Sequence, residues 1–263
     1  MTESITEKDI VINRIVTIAN DLRLKEFASV PALKRMDTES LKMLEGIMRD
    51  QQVVTHHNRL INRLNRAGIN VIKTFDTFEL SEQRFPNLDL SLVDELQTLD
   101  FVREHNDFVA IGPPGAGKTH LALATGYEAV RQGMWVKFRT AQQLIHEYED
   151  AKSEKRQKTF IEFMSKPDLL IIDEMGYLNY DASSAKVLYQ IVSSRYEKKS
   201  IFYTSNKEFT EWAEFLGDTD MARGVASRVA HHSLILNMVG AENWRLEHAL
   251  SRNRNRKHEE VLQ

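Results

Sequence analysis

The sequence of 263 residues contains no cysteine. That excludes a disulfide framework, a cysteine nucleophile and a thiolate-held metal, and it accords with a reducing compartment. No apolar run approaches the roughly 20 residues that cross a bilayer, so membrane insertion is not expected. The N-terminal stretch MTESITEKD is acidic and lacks the apolar core of a signal peptide, which makes the cytoplasm the expected location. An excess of positive charge is lacking too: the formal net charge of -3 gives no global signature of nucleic-acid binding, although a sum can hide a local basic stripe. The remainder is ordinary for a folded chain, with 42% hydrophobic and 28% charged residues. It is long enough for one moderate α/β domain and a smaller appendage.

Against this background residues 112–119, GPPGAGKT, stand out. The preceding DFVAI (107–111) is short, apolar and β-prone, and 120–131 reads as a helix with leucine and alanine on one side. A glycine-rich loop between a strand and a helix is the setting in which this motif cradles phosphate. Gly112, Gly115 and Gly117 remove side chains where backbone N–H groups approach the phosphates, and Pro113, Pro114, Ala116 and His120 complete the turn into the helix. Lys118 reaches the β- and γ-phosphates, and the Thr119 hydroxyl is placed for Mg²⁺. An incidental glycine-rich turn would share the composition but not the setting.

A triphosphate site needs a second strand end carrying a carboxylate, and DLLIIDE (168–174) supplies one after four consecutive aliphatics. Asp173 is the candidate to hold Mg²⁺, with Thr119, and Glu174 the candidate to orient or deprotonate the attacking water. Alone, the pair would also suit a solvated strand end; downstream of a phosphate loop it reads as the other half of the site. Strand β-patterns further recur at 134–138, 200–204 and 234–238, separated by helical patterns at 141–151, 159–164 and 183–197. Ser205 and Asn206 follow the fourth strand, where ligands of parallel sheets bind, and the Asn206 amide can meet the γ-phosphate or the water. Residues 221–230 read as a helix despite Gly224. Arg228 on it is the sharper candidate for an arginine finger, with Arg223 and Arg195 competing.

The N-terminal region is different in kind. Residues 5–27 carry an amphipathic helical pattern broken by Val30-Pro31, and a second helix is expected over 40–67 with Gly68 as terminator. Lys42, Arg49, Arg59, Arg63 and Arg66 make 41–70 basic around His56 and His57, and a second cluster holds Arg245, Arg252, Arg254, Arg256 and Lys257. Either cluster suits phosphate-backbone contact or a solvated face; Arg59, Arg63, Arg66 and Arg245 are the candidate DNA contacts. Residues 68–90 read as a packed linker anchored by Phe75, Phe78 and Phe85, followed by a helix over 92–102.

Taken together, GPPGAGKTHL (112–121), LLIIDEMG (169–176), Arg195-Tyr196-Glu197, Thr204-Ser205-Asn206 and SRVAHH (227–232) resemble the IstB ATPases, helper proteins of two-gene bacterial insertion sequences, and more distantly the DnaC helicase loaders. The resemblance covers roughly 70–246. It implies an α/β AAA+ P-loop NTPase with parallel sheet order 5-1-4-3-2 behind a small N-terminal helical domain, divided as 1–68, 69–246 and a basic tail 247–263. It further implies an ATPase using ATP and Mg²⁺, assembling as a homo-oligomer on duplex DNA with ATP sites at subunit interfaces, and recruiting a DDE-type transposase in a bacterial cytoplasm. By motif, Lys118, Glu174, Asn206 and Arg228 take the catalytic roles. Ser227 and Val229 flank Arg228 where the family usually has Asp and Leu, which alters local helix contacts rather than the arginine's charge. Trp244-Arg245 matches a family pair that senses nucleotide or touches DNA, while a core anchor is an equally good reading of Trp244. The chain ends soon after the fifth strand, too early for the full helical lid of larger initiators. The alternative function is a DnaC-like helicase loader, whose N-terminal helices would hold a replicative helicase.

Overall fold

A computed structural model describes residues 6–24, 26–27, 30–80, 85, 88–176, 182–217, 219–241 and 243–244. The chain divides into two units, residues 1–63 and 64–263. In the first, α1 (Glu7–Asp21) starts at a reciprocal cap: Asp9 N–H donates to the Thr6 hydroxyl and Thr6 N–H to the Asp9 carboxylate. Its expected extension to residue 27 fails because Arg23 turns left-handed at φ 63°, ending the helix. Pro31 opens the short α2 (Pro31–Arg35), where its missing N–H costs nothing. Asp37 accepts from Ser40 N–H at 2.8 Å, so α3 (Thr38–Ala67) begins two residues earlier than expected. Val11, Ile15 and Ile18 of α1 pack with Leu33, Leu41 and Met48 as the core of this unit.

Gly68, at φ +88°, ends α3 as its sequence position foretold, with Ile69 N–H donating back to Leu64 C=O. A 3-10 turn at Phe75–Thr77 follows. Phe78 and Phe85 are buried and stacked at 5.5 Å, the anchoring role expected of them, while Phe75 stays half-buried. The helix expected over 92–102 is two helices, α4 (Leu90–Thr98) and α5 (Asp100–Arg103), because Leu99 between them is left-handed at φ 63°.

Five strands then form one parallel sheet: β1 (Asp107–Ile111), β2 (Val136–Thr140), β3 (Leu169–Met175), β4 (Ser200–Ser205) and β5 (Ser233–Asn237). Their order is β2-β3-β4-β1-β5, the 5-1-4-3-2 arrangement counted from the other edge. Crossovers are made by α6 (Lys118–Arg131), α7 (Ala141–Ser153) with α8 (Gln157–Ser165), α9 (Ala182–Arg195), and α10 (Phe209–Phe215) with α11 (Asp220–His232). β1 and β4 are buried along their whole length, as central strands covered on both faces must be. β2 starts two residues later than the expected 134. Gly133 at φ +91° and Met134 close α6 by donating to Val130 and Ala129, and Trp135 is held by Asp168 before any ladder begins. Helices α9, α10 and α11 cover one face, packing Val187, Leu188, Trp212 and Val225 with β3 and β4 residues such as Leu170 and Tyr203.

Candidate functional site

The loop 112–117 leaves β1 at the carboxyl edge of the sheet and becomes the first turn of α6. Gly112 lies against β5's exit, where an added Cβ would meet the Met238 Cβ at 2.9 Å. Gly117 caps α6 at φ +102°, a conformation glycine adopts without strain, and a Cβ there would strike the Phe78 ring at 2.6 Å. The helix N-terminus therefore opens onto a cavity of about 280 Å³, walled on this side by Gly115, Gly117, Lys118 and Thr119. Lys118 is buried, and its ammonium donates to the carbonyls of Gly112 and Pro113 at 2.6 and 2.8 Å. These bonds keep the charge at the mouth of the loop.

Across the cavity stand the ends of β3 and β4. The Thr119 hydroxyl donates to the two Asp173 oxygens at 3.0 and 3.2 Å, so the phosphate-loop helix and the buried carboxylate meet directly. Glu174 lies in the same cavity wall. Its φ of 65° is left-handed, at a break in the β3–β4 register between Ile172 and Met175. The strand, expected to stop at Asp173, continues through this kink to Met175. A regular strand would send adjacent side chains to opposite faces, whereas the kink re-aims Glu174; such a backbone costs about 1 kcal/mol and concentrates at functional sites.

Thr204 is the residue that sequence reasoning missed. The hydroxyl donates to Asp173 Oδ1 and accepts the Glu174 N–H at 3.0 Å, so one buried side chain fixes the Asp173 carboxylate and the Glu174 backbone. Its place could have suggested it, since Thr204 is a polar residue at the carboxyl end of a strand whose middle, Ile201 to Tyr203, is hydrophobic. Two residues on, Asn206 does not line the cavity. Its Oδ1 is buried without a hydrogen-bond partner among the described residues, beside Gly176. An orphaned amide oxygen at a strand's carboxyl end is an acceptor waiting for a partner.

The far wall of the cavity comes from the segment leading into the domain: Lys73, Thr77, Phe78 and Glu79, with Leu123 and Trp244. Phe78 is thus both anchor and wall. His120 is directed here, its Nε2 donating to Thr74 C=O at 3.0 Å and lying 5.2 Å from the Phe78 ring, ring centroid to ring centroid. The imidazole secures the wall.

The three competing arginines separate cleanly. Arg195 is buried, 1% exposed, and donates to the carbonyls of Met164, Pro167, Asp168 and Ser200. It is a clamp on the sheet's amino edge, and its candidacy as a finger is withdrawn. Burial lowers its pKa to about 10 and pushes the neighbouring Asp107 carboxyl up to about 7, against the Ile201 N–H bond and the Arg195 charge. Arg223 is exposed and pairs with Asp220 at 2.7 Å. Arg228 is half-buried on α11, lies outside its own chain's cavity, and rests its guanidinium on Tyr189 at 4.8 Å.

The expected DNA contacts are less uniform than their spacing suggests. Within the helical unit Arg59 lies 3.8 Å from Asp21 Oδ1 and donates to the Asp21 carbonyl at 3.1 Å, and the same carboxylate takes His56 and Gln52. Lys42 pairs with Glu7 and Arg49 with Glu45. Arg63 and Arg66 are exposed on α3. Arg245, Arg252, Arg254, Arg256 and Lys257 lie outside the described residues, as does the tail 247–263. Among the described residues no helix is long and apolar enough to cross a membrane.

Comparison with known proteins agrees with this geometry. The family described as IstB-like ATP binding protein matches residues 17–252. The ATP-binding protein of insertion sequence IS5376 from Geobacillus stearothermophilus is 42% identical over 174 residues, covering 66% of this chain and 68% of the relative. That of insertion sequence IS21 from Pseudomonas aeruginosa is 38% identical over 192 residues, covering 73% and 71%. Among solved structures, the DnaC helicase loader aligns with a TM-score of 0.50 at 21% identity over 63% of this chain and 96% of that one, a likeness of fold. With a phosphate loop, a paired-carboxylate strand end and a 5-1-4-3-2 sheet in place, the chain belongs to the IstB-like ATP binding protein family and is an AAA+ ATPase.

Proposed function

We propose that this ATPase is a transposition helper: it assembles on target duplex DNA in its ATP-bound form and recruits the DDE-type transposase of the same element, with hydrolysis releasing the assembly. The observation that carries the chemistry is the convergence of Thr119, Asp173, Thr204 and Glu174 at the mouth of the phosphate loop. Family membership supports the setting, since the relatives are named as insertion-sequence proteins.

In this reading the loop N–H groups and Lys118 bind the β- and γ-phosphates, the ammonium exchanging its loop carbonyls for phosphate oxygens. Thr119 and Asp173 offer the hard oxygen donors that suit Mg²⁺, which when bound would neutralise charge between the β- and γ-phosphates. Glu174 takes the proton of the attacking water, held in place by its kinked backbone and the Thr204 hydroxyl. Asn206 turns its amide N–H to the γ-phosphate, or its orphaned Oδ1 accepts from that water. Arg228, outside its own cavity, serves the site of the neighbouring subunit. Charge from the next protomer then makes subunit contact depend on the triphosphate.

DNA contact is assigned to Arg59, Arg63 and Arg66 through nonspecific phosphate binding, with Arg245 as an additional contact. Exposed Met43, Ile47, Val53 and Val54 on α3 support a partner-binding role for the helical unit. The cytoplasm is the proposed location. The test is twofold: affinity for duplex against single-stranded DNA, and retention of the transposase against a replicative helicase. Duplex preference with transposase capture is expected; single-strand preference with helicase capture would make the chain a loader instead. The Arg59→Ala/Arg63→Ala/Arg66→Ala variant should lose DNA while keeping ATP, and unchanged DNA affinity would remove this patch.

A further inference from the structure

Arg228 sits in a built seat. Its guanidinium carbon lies 4.8 Å from the Tyr189 ring centroid and 6.0 Å from that of Tyr196, and its Nη1 donates to Gly224 C=O at 3.2 Å. Aromatic faces attract a guanidinium through the ring quadrupole and stack on its plane. Tyr196 is itself pinned: its hydroxyl lies 3.0 Å from His231 Nδ1, its ring meets His232 edge-on at 4.9 Å, and His232 pairs with Glu197 at 3.0 Å. The strings Arg195-Tyr196-Glu197 and 227–232, far apart in sequence, are thus the two halves of one cluster between the ends of α9 and α11.

Gly224 points to the same purpose. Glycine is among the poorest helix formers, yet it occupies the interior of α11. A Cβ at that position would lie 3.0 Å from Tyr189 Cε2 and 3.3 Å from Arg228 Nη1. The missing side chain is the space in which ring and guanidinium meet.

We propose that Tyr189, Tyr196 and Gly224 aim Arg228 at the triphosphate of the neighbouring subunit, the tyrosines acting as positioning residues. This rests on the assignment of Arg228 to that neighbouring site. An arginine held on two rings loses little freedom when it engages a phosphate, whereas an unheld one must be ordered at each turnover. The seat therefore governs turnover and leaves ATP binding within the chain's own cavity unchanged.

Steady-state hydrolysis by the full chain on duplex DNA, with ATP affinity measured separately, tests it. Tyr189→Leu should lower kcat about tenfold, the scale of one lost cation–π contact, with ATP Kd within about twofold. Tyr189→Phe keeps the ring and should restore most of kcat. Gly224→Ala crowds the seat while favouring the helix, so it should slow turnover without lowering the melting temperature; if Tyr189→Leu folds poorly, this variant decides. Arg228→Ala is the reference. Should Arg228→Ala turn over at the parental rate, the neighbouring-site assignment fails and the seat with it. Should Arg228→Ala be slow while Tyr189→Leu and Gly224→Ala run at the parental rate, the seat is overturned and the assignment of Arg228 stands.

Discussion

Glu174 and Asp173 are neighbours in sequence but suit different work because their environments differ. Asp173 is 3% exposed and oriented by two hydroxyls, which suits a fixed ligand; Glu174 faces the cavity on a kinked backbone, which suits a proton acceptor. Glu174→Gln keeps the shape and removes the base, so ATP should still bind while single-turnover hydrolysis falls by about 100-fold or more. Lys118→Ala should instead abolish ATP binding itself. Parental turnover in Glu174→Gln would end the assignment. A second residue-scale expectation concerns Asp107, whose carboxyl burial pushes up to about 7. Because the folded chain holds this proton more tightly than the unfolded one, the group's contribution to stability is intact in acid. It is lost as pH rises from about 4, the ordinary carboxylate value, through 7. Asp107→Asn keeps the acceptor for Ile201 N–H and removes the titration, so denaturation midpoints should fall less steeply over that window than in the parent. Equal slopes would show that the buried carboxyl does not titrate there.

At the scale of elements, the sites written in consecutive residues were legible and the sites assembled across elements were not. The phosphate loop and β3's carboxylates announce themselves because each needs only a local pattern: glycines where backbone must approach phosphate, or aliphatics ending in acid. Thr204 and the Phe78 wall depend on which strands and loops become neighbours, and no local spacing encodes that. Boundaries moved wherever one left-handed residue intervened, at Arg23, Leu99 and Glu174, which hydrophobic periodicity does not register. Arg195, named by its charge as a competing finger candidate, shows the same limit: a guanidinium can be buried when carbonyls surround it, and spacing does not reveal those carbonyls. It ties the end of α8, β3 and the start of β4 together. Arg195→Met should therefore cost about 3 kcal/mol of stability, from carbonyls left unpaired, while Arg228→Ala should cost under about 1 kcal/mol. Urea denaturation of the two variants checks this; equal losses would mean that the clamp holds nothing.

For the whole molecule, the ATPase unit carries every element of the nucleotide site within residues 64–263, while residues 1–63 form a helical unit with its own small core. That separation keeps the nucleotide cavity within one unit, and partner contact is proposed for the other. The coupling proposed is between protomers: a triphosphate in one protomer meets Arg228 of the next, and the array so formed gathers weak phosphate contacts along a duplex into a salt-sensitive grip. The most direct measurement is the size and dissociation rate of multimers of the full chain on duplex DNA, with a nonhydrolysable ATP analogue, with ADP and without nucleotide. Large, slowly dissociating multimers with the analogue alone are expected, and Arg228→Ala should shrink them. Multimers of the same size and lifetime in all three conditions would contradict the proposal that the γ-phosphate joins one subunit to the next.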